Sequence, residues 1–485
     1  MYPKYKLVGL LLAPLLFVLM LLLPPPLQMS PLAWKVLASA LWMMIWWFTE
    51  AAPIPVTSLL PLVLYPLLGI ASMKNAAAPY ANPVVYLFMG GFFIALAMEK
   101  SGLHRRIALN IVKRTGATAN GIILGFMLST GFISMWVSNT ATTVMMLPIA
   151  ASVVALFEQN RQISKQQFGM FSLSLMLSVA YAANTGGMAT LIGTPPNMVF
   201  AGFMQETYKV QIGFLQWMMV GFPMALVLLI ITYWVLTKLM YPNKIGKIDS
   251  GSHEYIQEQL NALGKMSKAE KMVTAIFFMT AGGWILRPQI AEGLKFLLPD
   301  ADFSDTTVAM IGGLATFLMP LNLSKGTFLL HWEDAKKLPW GILLLFGGGL
   351  ALADAMENAG IVEMIGNSIQ AAHLPVLAIL TLLVAIMIYV GELMSNVALV
   401  TIFLPVVAGI AQGTGVNMLL FTIPITLASS AAFMLPMGTP PNAIVFSSGY
   451  ITMPQMAKAG MVLDTISVAV TAAITYTLVK WVFGV

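Results

Sequence analysis

Ser138-Asn139-Thr140 and Ser395-Asn396-Val397 each sit in the middle of an apolar stretch, and each is followed by a Leu-Pro pair, Leu147-Pro148 and Leu404-Pro405, at the same spacing. A second motif, Gly193-Thr194-Pro195-Pro196-Asn197, returns intact as Gly438-Thr439-Pro440-Pro441-Asn442. Polar groups in an apolar stretch are costly unless their side chains and the freed backbone are satisfied. A re-entrant hairpin with Ser-Asn at its tip meets that demand by pointing two half-helix ends into a polar cavity. The half-helix that begins at Thr140 or Val397 offers free N–H groups and a positive dipole end to an anion, and the one before it offers carbonyls to a cation. The paired prolines withhold donors and stop the helix, so Gly-Thr-Pro-Pro-Asn makes a comparable break. Hydroxyl, amide and carbonyl oxygens suit a hard alkali ion. Ser134, one turn before Ser138, together with Ser138, Asn139 and Gly193, forms one such candidate set. The segments around the motifs carry no Arg or Lys, so an anion would rest on Asn139, Thr140, Thr194, Asn396 and Thr439, on helix ends and on any co-bound cation.

The elements that must position these residues are membrane helices. The chain has 485 residues, of which 59% are hydrophobic and 9% charged, against about 25% charged in soluble proteins. Absence of cysteine excludes disulfides, thiolate metal sites and cysteine nucleophiles, and His104, His253, His331 and His373 are too scattered for a metal cluster. Crossings of about 20 apolar residues are expected near 7–27, 32–49, 54–71, 82–99, 170–207, 213–240, 270–288, 305–321, 340–357, 416–447 and 459–483. The first is too long for a signal core and lacks a small-residue cleavage site. The interrupted stretches 119–157 and 374–412 remain as re-entrant hairpins or as paired crossings. With the N-terminus in the cytoplasm, only Lys35, Lys74, Lys209, Arg287, Lys295 and Lys480 of the 25 bases fall outside, as the positive-inside rule requires. Asp300, Asp302 and Asp305 cluster on that outer side. The net charge of +6 therefore reflects loops and not nucleic acid. Residues 103–114 pattern as an amphipathic interfacial helix.

A third repeat, Phe88-Met89-Gly90-Gly91 through Met98-Glu99 to Gly102, returns as Phe346-Gly347-Gly348-Gly349 through Met356-Glu357 to Gly360, so three motifs recur in one order at offsets of 258, 257 and 245 residues. The expected organisation is a first transmembrane helix in 1–31, repeat one in 32–240, a cytoplasmic linker in 241–265 and repeat two in 266–485. Five crossings plus one interrupted stretch per repeat make the repeats inverted, with equivalent motifs around a pseudo-two-fold axis near the bilayer midplane. The glycine runs read as close helix packing, because no phosphate-loop Lys-Ser follows them. Glu50, Asp354 and Glu392, in or beside apolar spans, are candidates for function, with Glu392 either functional or a brace for the second hairpin. An intramembrane hydrolase lacks its nucleophile and base here. A pore has no need of two equivalent sites.

As a set, Ser138-Asn139-Thr140, Ser395-Asn396, the two Thr-Pro-Pro-Asn motifs and the Leu-Pro pairs resemble the divalent anion/sodium symporter family of INDY-type dicarboxylate transporters, from about residue 32 to the C-terminus. The resemblance implies an all-α polytopic plasma-membrane protein, about eleven transmembrane helices plus two re-entrant hairpins, with scaffold and transport domains moving as an elevator in a homodimer. It implies succinate, malate, fumarate or 2-oxoglutarate as substrate, held by Asn139, Thr140, Thr194, Pro195, Asn396, Val397, Thr439 and Pro440. No cofactor is implied beyond sodium as coupling ion, with Ser134, Ser138, Asn139 and Gly193 as its first site. A second site would fall on Gly391, Met394, Asn396 and Gly438. Here the chain departs from the family pattern: Gly391 replaces a threonine before Glu392, and Val397 replaces the threonine of the second tip. Loss of those hydroxyls favours dicarboxylate exchange over strict sodium symport. Citrate, sulfate and arsenite carriers are close kin.

Overall fold

The computed structural model describes residues 3–26, 29–115, 118–158, 163–246, 252–370 and 375–485; Arg161, Lys247 and His373 lie outside them, as does 247–251 of the linker. The described chain is almost entirely α-helical, with one short antiparallel pair formed by Pro320–Asn322 and Thr327–Phe328. Among the described residues nine helices are long and apolar enough to cross a membrane, and five shorter apolar helices accompany them. Large apolar side chains such as Leu15, Leu67, Ile230, Phe278 and Leu318 are exposed on the outside, as a surface solvated by lipid requires.

Both expected hairpins are helix–break–helix units. Ala119–Ser134 is followed by Asn139–Glu158, and Val376–Gly391 by Asn396–Thr414. The 170–207 stretch is two helices, Lys165–Gly187 and Pro195–Tyr208, and the 416–447 stretch is Leu419–Ala428 and Pro440–Phe446. In each, the proline pair opens the second helix, where a missing N–H costs nothing. Residues 54–71, expected as one crossing, form Ile54–Thr57 and Leu60–Leu68. Pro61 has no amide to give the Thr57 carbonyl, and the helix breaks between them.

Amphipathic Leu103–Arg114 packs on Ala119–Ser134, the half-helix before its tip, whereas Ile361–Gln370 packs on Asn396–Thr414, the half-helix after its tip. Each is entered through a left-handed glycine, Gly102 (φ 78°) or Gly360 (φ 74°). Arg106 ties the first of these helices to the second half of the chain. Its Nε donates to Glu270 Oε1 at 2.6 Å, Nη1 to the Gly264 carbonyl at 2.9 Å, and Nη2 to the Leu263 carbonyl at 3.1 Å and Glu270 Oε2 at 3.2 Å. The glycine runs are packing positions. A Cβ on Gly90 would lie 2.4 Å from the Ala309 carbonyl oxygen, and one on Gly348 would lie 2.2 Å from that of Ser58. Asp305, expected with Asp300 and Asp302 on the outer side, is buried. It accepts from the Phe214 amide at 2.9 Å and pairs with Arg287 at 3.2 Å, beneath the stacked rings of Phe214 and Trp284.

Candidate substrate and cation site

A cavity of about 1150 Å³ occupies the centre of the bundle, and both hairpin tips and both Gly-Thr-Pro-Pro-Asn breaks line it. All eight residues expected around a substrate reach its wall: Asn139, Thr140, Thr194, Pro195, Asn396, Val397, Thr439 and Pro440. The cavity extends to Tyr5, Thr49, Glu50, Glu99 and Lys337, the end that also carries the Lys6–Glu50 and Lys100–Asp334 pairs. At the opposite end the helices are latched. Asn82 Nδ2 donates to Glu206 Oε2 at 2.7 Å and Thr207 Oγ1 to Asp354 Oδ1 at 3.2 Å.

The two breaks are built alike. Asn197 Nδ2 donates to the carbonyls of Gly187 (3.1 Å) and Thr190 (2.8 Å), ten and seven residues upstream. Asn442 Nδ2 donates to those of Ala432 and Leu435, both at 3.1 Å and at the same two spacings. Each asparagine thus satisfies carbonyls that the broken helix leaves without partners, so these residues shape the site and do not line it. The halves also meet directly: Asn184 Nδ2 donates to Thr439 Oγ1 at 2.8 Å and approaches Asn442 Oδ1 at 3.3 Å.

Behind the first tip, Ser134 Oγ lies 2.6 Å from Asn139 Oδ1 and 2.8 Å from the Ala183 carbonyl. One hydroxyl proton serves two acceptors, so three oxygens converge with a single donor, a set matched to a small hard cation. Ser138, Asn139 and Gly193 line the cavity next to it, whereas Ser134 is fully buried behind the wall. Gly187 leaves the room for Asn139: a Cβ there would fall 2.5 Å from Asn139 Oδ1. At the second tip Asn396 Oδ1 is buried without a hydrogen-bond partner among the described residues. Met394 and Gly438 line the cavity beside it. Gly391 lies behind the wall, where an added Cβ would come 3.6 Å from that orphaned oxygen. The donor types therefore fit a cation at either tip, although the second offers fewer side-chain oxygens.

For anions the tips differ in the other sense. Ser138 Oγ caps its own helix by accepting from the Ala141 amide at 3.3 Å. Ser395 makes no such bond, which leaves the first-turn amides of Asn396–Thr414 free to face a carboxylate.

Sequence reasoning missed Asn184 and Ser430, which also line the cavity. Their signal was a polar residue nine positions before each motif glycine: Asn184 before Gly193, and Ser429, the neighbour of Ser430, before Gly438. Glu392 is a brace. Fully buried, it accepts from the amides of Met434 and Leu435, both at 2.7 Å, and holds the second break against the second tip. Glu392→Ala would leave two partly buried amides unpaired at up to about 1–3 kcal/mol each. We expect the detergent-solubilised protein to melt well below wild type, with Glu392→Gln, which keeps one acceptor, in between.

A lipid-solvated helical bundle with two polar hairpins meeting in a central cavity is the architecture of a membrane transporter. Residues 4–485 match the family described as the sodium:sulfate symporter transmembrane region, and the chain belongs to that family. It is a transport protein and not an enzyme. Among its relatives, the sodium-dependent dicarboxylate transporter SdcS of Staphylococcus saprophyticus subsp. saprophyticus is 38% identical, the alignment covering 100% of this chain and 93% of the relative. The protein of the same description from Staphylococcus aureus is 39% identical, over 99% and 92%. Among solved structures, the Alcanivorax borkumensis YdaH transporter superposes with a TM-score of 0.59 at 14% identity, over 99% of both chains. Neisseria gonorrhoeae MtrF gives 0.58 at 12%, over 100% of this chain and 96% of its own. These two similarities are of fold.

Proposed function

We propose that this protein is a secondary active transporter of small dicarboxylates such as succinate, malate, fumarate and 2-oxoglutarate, with sodium as coupling ion. The observation that carries the reading is the meeting of two equivalent Ser-Asn tips in one cavity without a basic residue between them. A C4 dicarboxylate presents one carboxylate to each tip, where Asn139, Thr140, Asn396, Thr194 and Thr439 and the free amides of the second half-helix donate to it. Sodium at Ser134, Ser138, Asn139 and Gly193, and at Gly391, Met394, Asn396 and Gly438, offsets the negative charge and orders the tips. That makes binding of the two solutes mutually favourable. The descriptions of the Staphylococcus relatives support both the substrate class and the ion.

In this reading the protein sits in the plasma membrane with its N-terminus in the cytoplasm, and the open end of the cavity, flanked by Lys337, faces the cytoplasm. Inverted repeats 32–240 and 266–485 exchange conformations as an elevator within a homodimer, carrying the tips past a static scaffold. Symport is the first reading because Asn396 Oδ1, orphaned and buried, keeps a cation oxygen at the second tip. Exchange is the second, favoured by the hydroxyls missing at Gly391 and Val397. Proteoliposomes separate the two. Symport predicts concentrative succinate uptake into empty vesicles under an inward sodium gradient; uptake that needs internal dicarboxylate and ignores sodium would establish exchange instead.

A further inference from the structure

A second cavity, of about 480 Å³, lies at the latched end of the bundle, remote from the hairpin tips, and is lined by Tyr65, Asn75, Glu206, Asp354 and Asn358 among others. Two carboxyl groups line it, Glu206 and Asp354, within electrostatic reach of each other, and Glu357 lies outside the lining but within reach of Asp354. Lys209 is the base that acts on this group, and its ammonium donates to the Glu206 carbonyl at 2.6 Å. Two lining acids against one base leave a surplus of negative charge at a partly desolvated place, which is unfavourable without a counter-charge. A second observation is independent of the acids. Tyr65 is 1% exposed, lines the same cavity, and its hydroxyl has no hydrogen-bond partner among the described residues. A buried hydroxyl without a partner costs about 1–3 kcal/mol, so its oxygen is placed for a ligand.

Repeat symmetry does not require the cluster. The positions equivalent to Glu206 and Asp354 in the other half are Ile451 and Leu96. All the ligating groups are oxygens, two of them carboxylates on different helices: Glu206 on Pro195–Tyr208 and Asp354 on Trp340–Asn358. Oxygen donors of this kind suit a hard cation, and two lining carboxylates beside a lysine leave about one positive charge to be supplied. The volume admits an ion that keeps some of its water.

We infer that this cavity binds a monovalent alkali cation between Glu206, Asp354 and the Tyr65 hydroxyl, at a site separate from the hairpin tips. The ion clasps two helices that already touch through Thr207 and Asp354, and so favours the conformation in which this end is shut.

The test is 22Na⁺ binding to the purified full-length protein, with choline as the ionic-strength control and K⁺ and Ca²⁺ as competitors. An Asn139→Ala/Asn396→Ala background removes the tip sites. Sodium binding that survives in that background is expected, and it should disappear when Asp354→Asn is added. Tyr65→Phe, which deletes only the hydroxyl, should raise half-saturating sodium about fivefold, the equivalent of one neutral contact. Displacement by K⁺ supports the site as a general alkali site. No residual binding in the tip-disabled protein, residual binding indifferent to Asp354→Asn and Glu206→Gln, or displacement by Ca²⁺ alone would overturn it. If the tips do not bind sodium, the background substitutions change nothing while Asp354→Asn still removes a component, so failure of the proposed function is distinguishable from failure of this site.

Discussion

Asn139→Ala and Asn396→Ala are each expected to lower succinate uptake by about 10- to 100-fold while leaving the protein folded. Each asparagine begins a half-helix at a cavity wall, and its amide is the largest neutral donor at its tip. A hydrogen bond to a charged group contributes about 1.5–3 kcal/mol, and every 1.4 kcal/mol is about tenfold. Asn139 has a second task, because its Oδ1 belongs to the oxygen cluster with Ser134 and Ala183, so its loss weakens carboxylate and cation together. Asn139→Ala should therefore also shift half-saturating sodium. Truncation leaves helix packing largely alone, since both residues are only half-buried and line the cavity. Uptake in reconstituted vesicles, compared with thermal melting of the same preparations, checks the expectation.

A single added methyl group should do comparable damage. Gly187→Ala places a Cβ 2.5 Å from Asn139 Oδ1 and 2.9 Å from its Nδ2, closer than side chains pack. Something must move, and the amide end of Asn139, held by Ser134 Oγ at the cavity wall, moves more readily than the helix. Overpacking costs about 1–3 kcal/mol. Here it falls on the geometry of the tip, and uptake should drop about 10- to 100-fold with little change in melting temperature. Gly282→Ala is the control: nothing lies within 4 Å of its added Cβ, and its uptake should equal wild type.

The tips and the broken helices were legible in the sequence because polar groups and proline pairs stand out in an apolar chain, and because each occurs twice. The amphipathic helix at 103–114 was legible too, whereas its counterpart Ile361–Gln370 was not singled out. Contacts between distant segments were not legible. Asn184 matters through Thr439 and Asn442 of the other half, and no local pattern forecasts that meeting. Glu392 stood out as an acid in an apolar span, but its part as a brace is set by two amides more than forty residues away. Arg287, read as a loop charge, is ion-paired with buried Asp305. Its orienting value is lower than that of a free base.

The most direct measurement is counterflow of labelled succinate into proteoliposomes loaded with unlabelled succinate. A carrier with one central dicarboxylate site predicts a transient accumulation of label that saturates with concentration and is suppressed by fumarate and malate but not by a monocarboxylate of similar size. Label entry that rises linearly without saturation, or that dicarboxylates leave untouched while sulfate blocks it, would contradict the assignment of the two Ser-Asn tips to a shared dicarboxylate site.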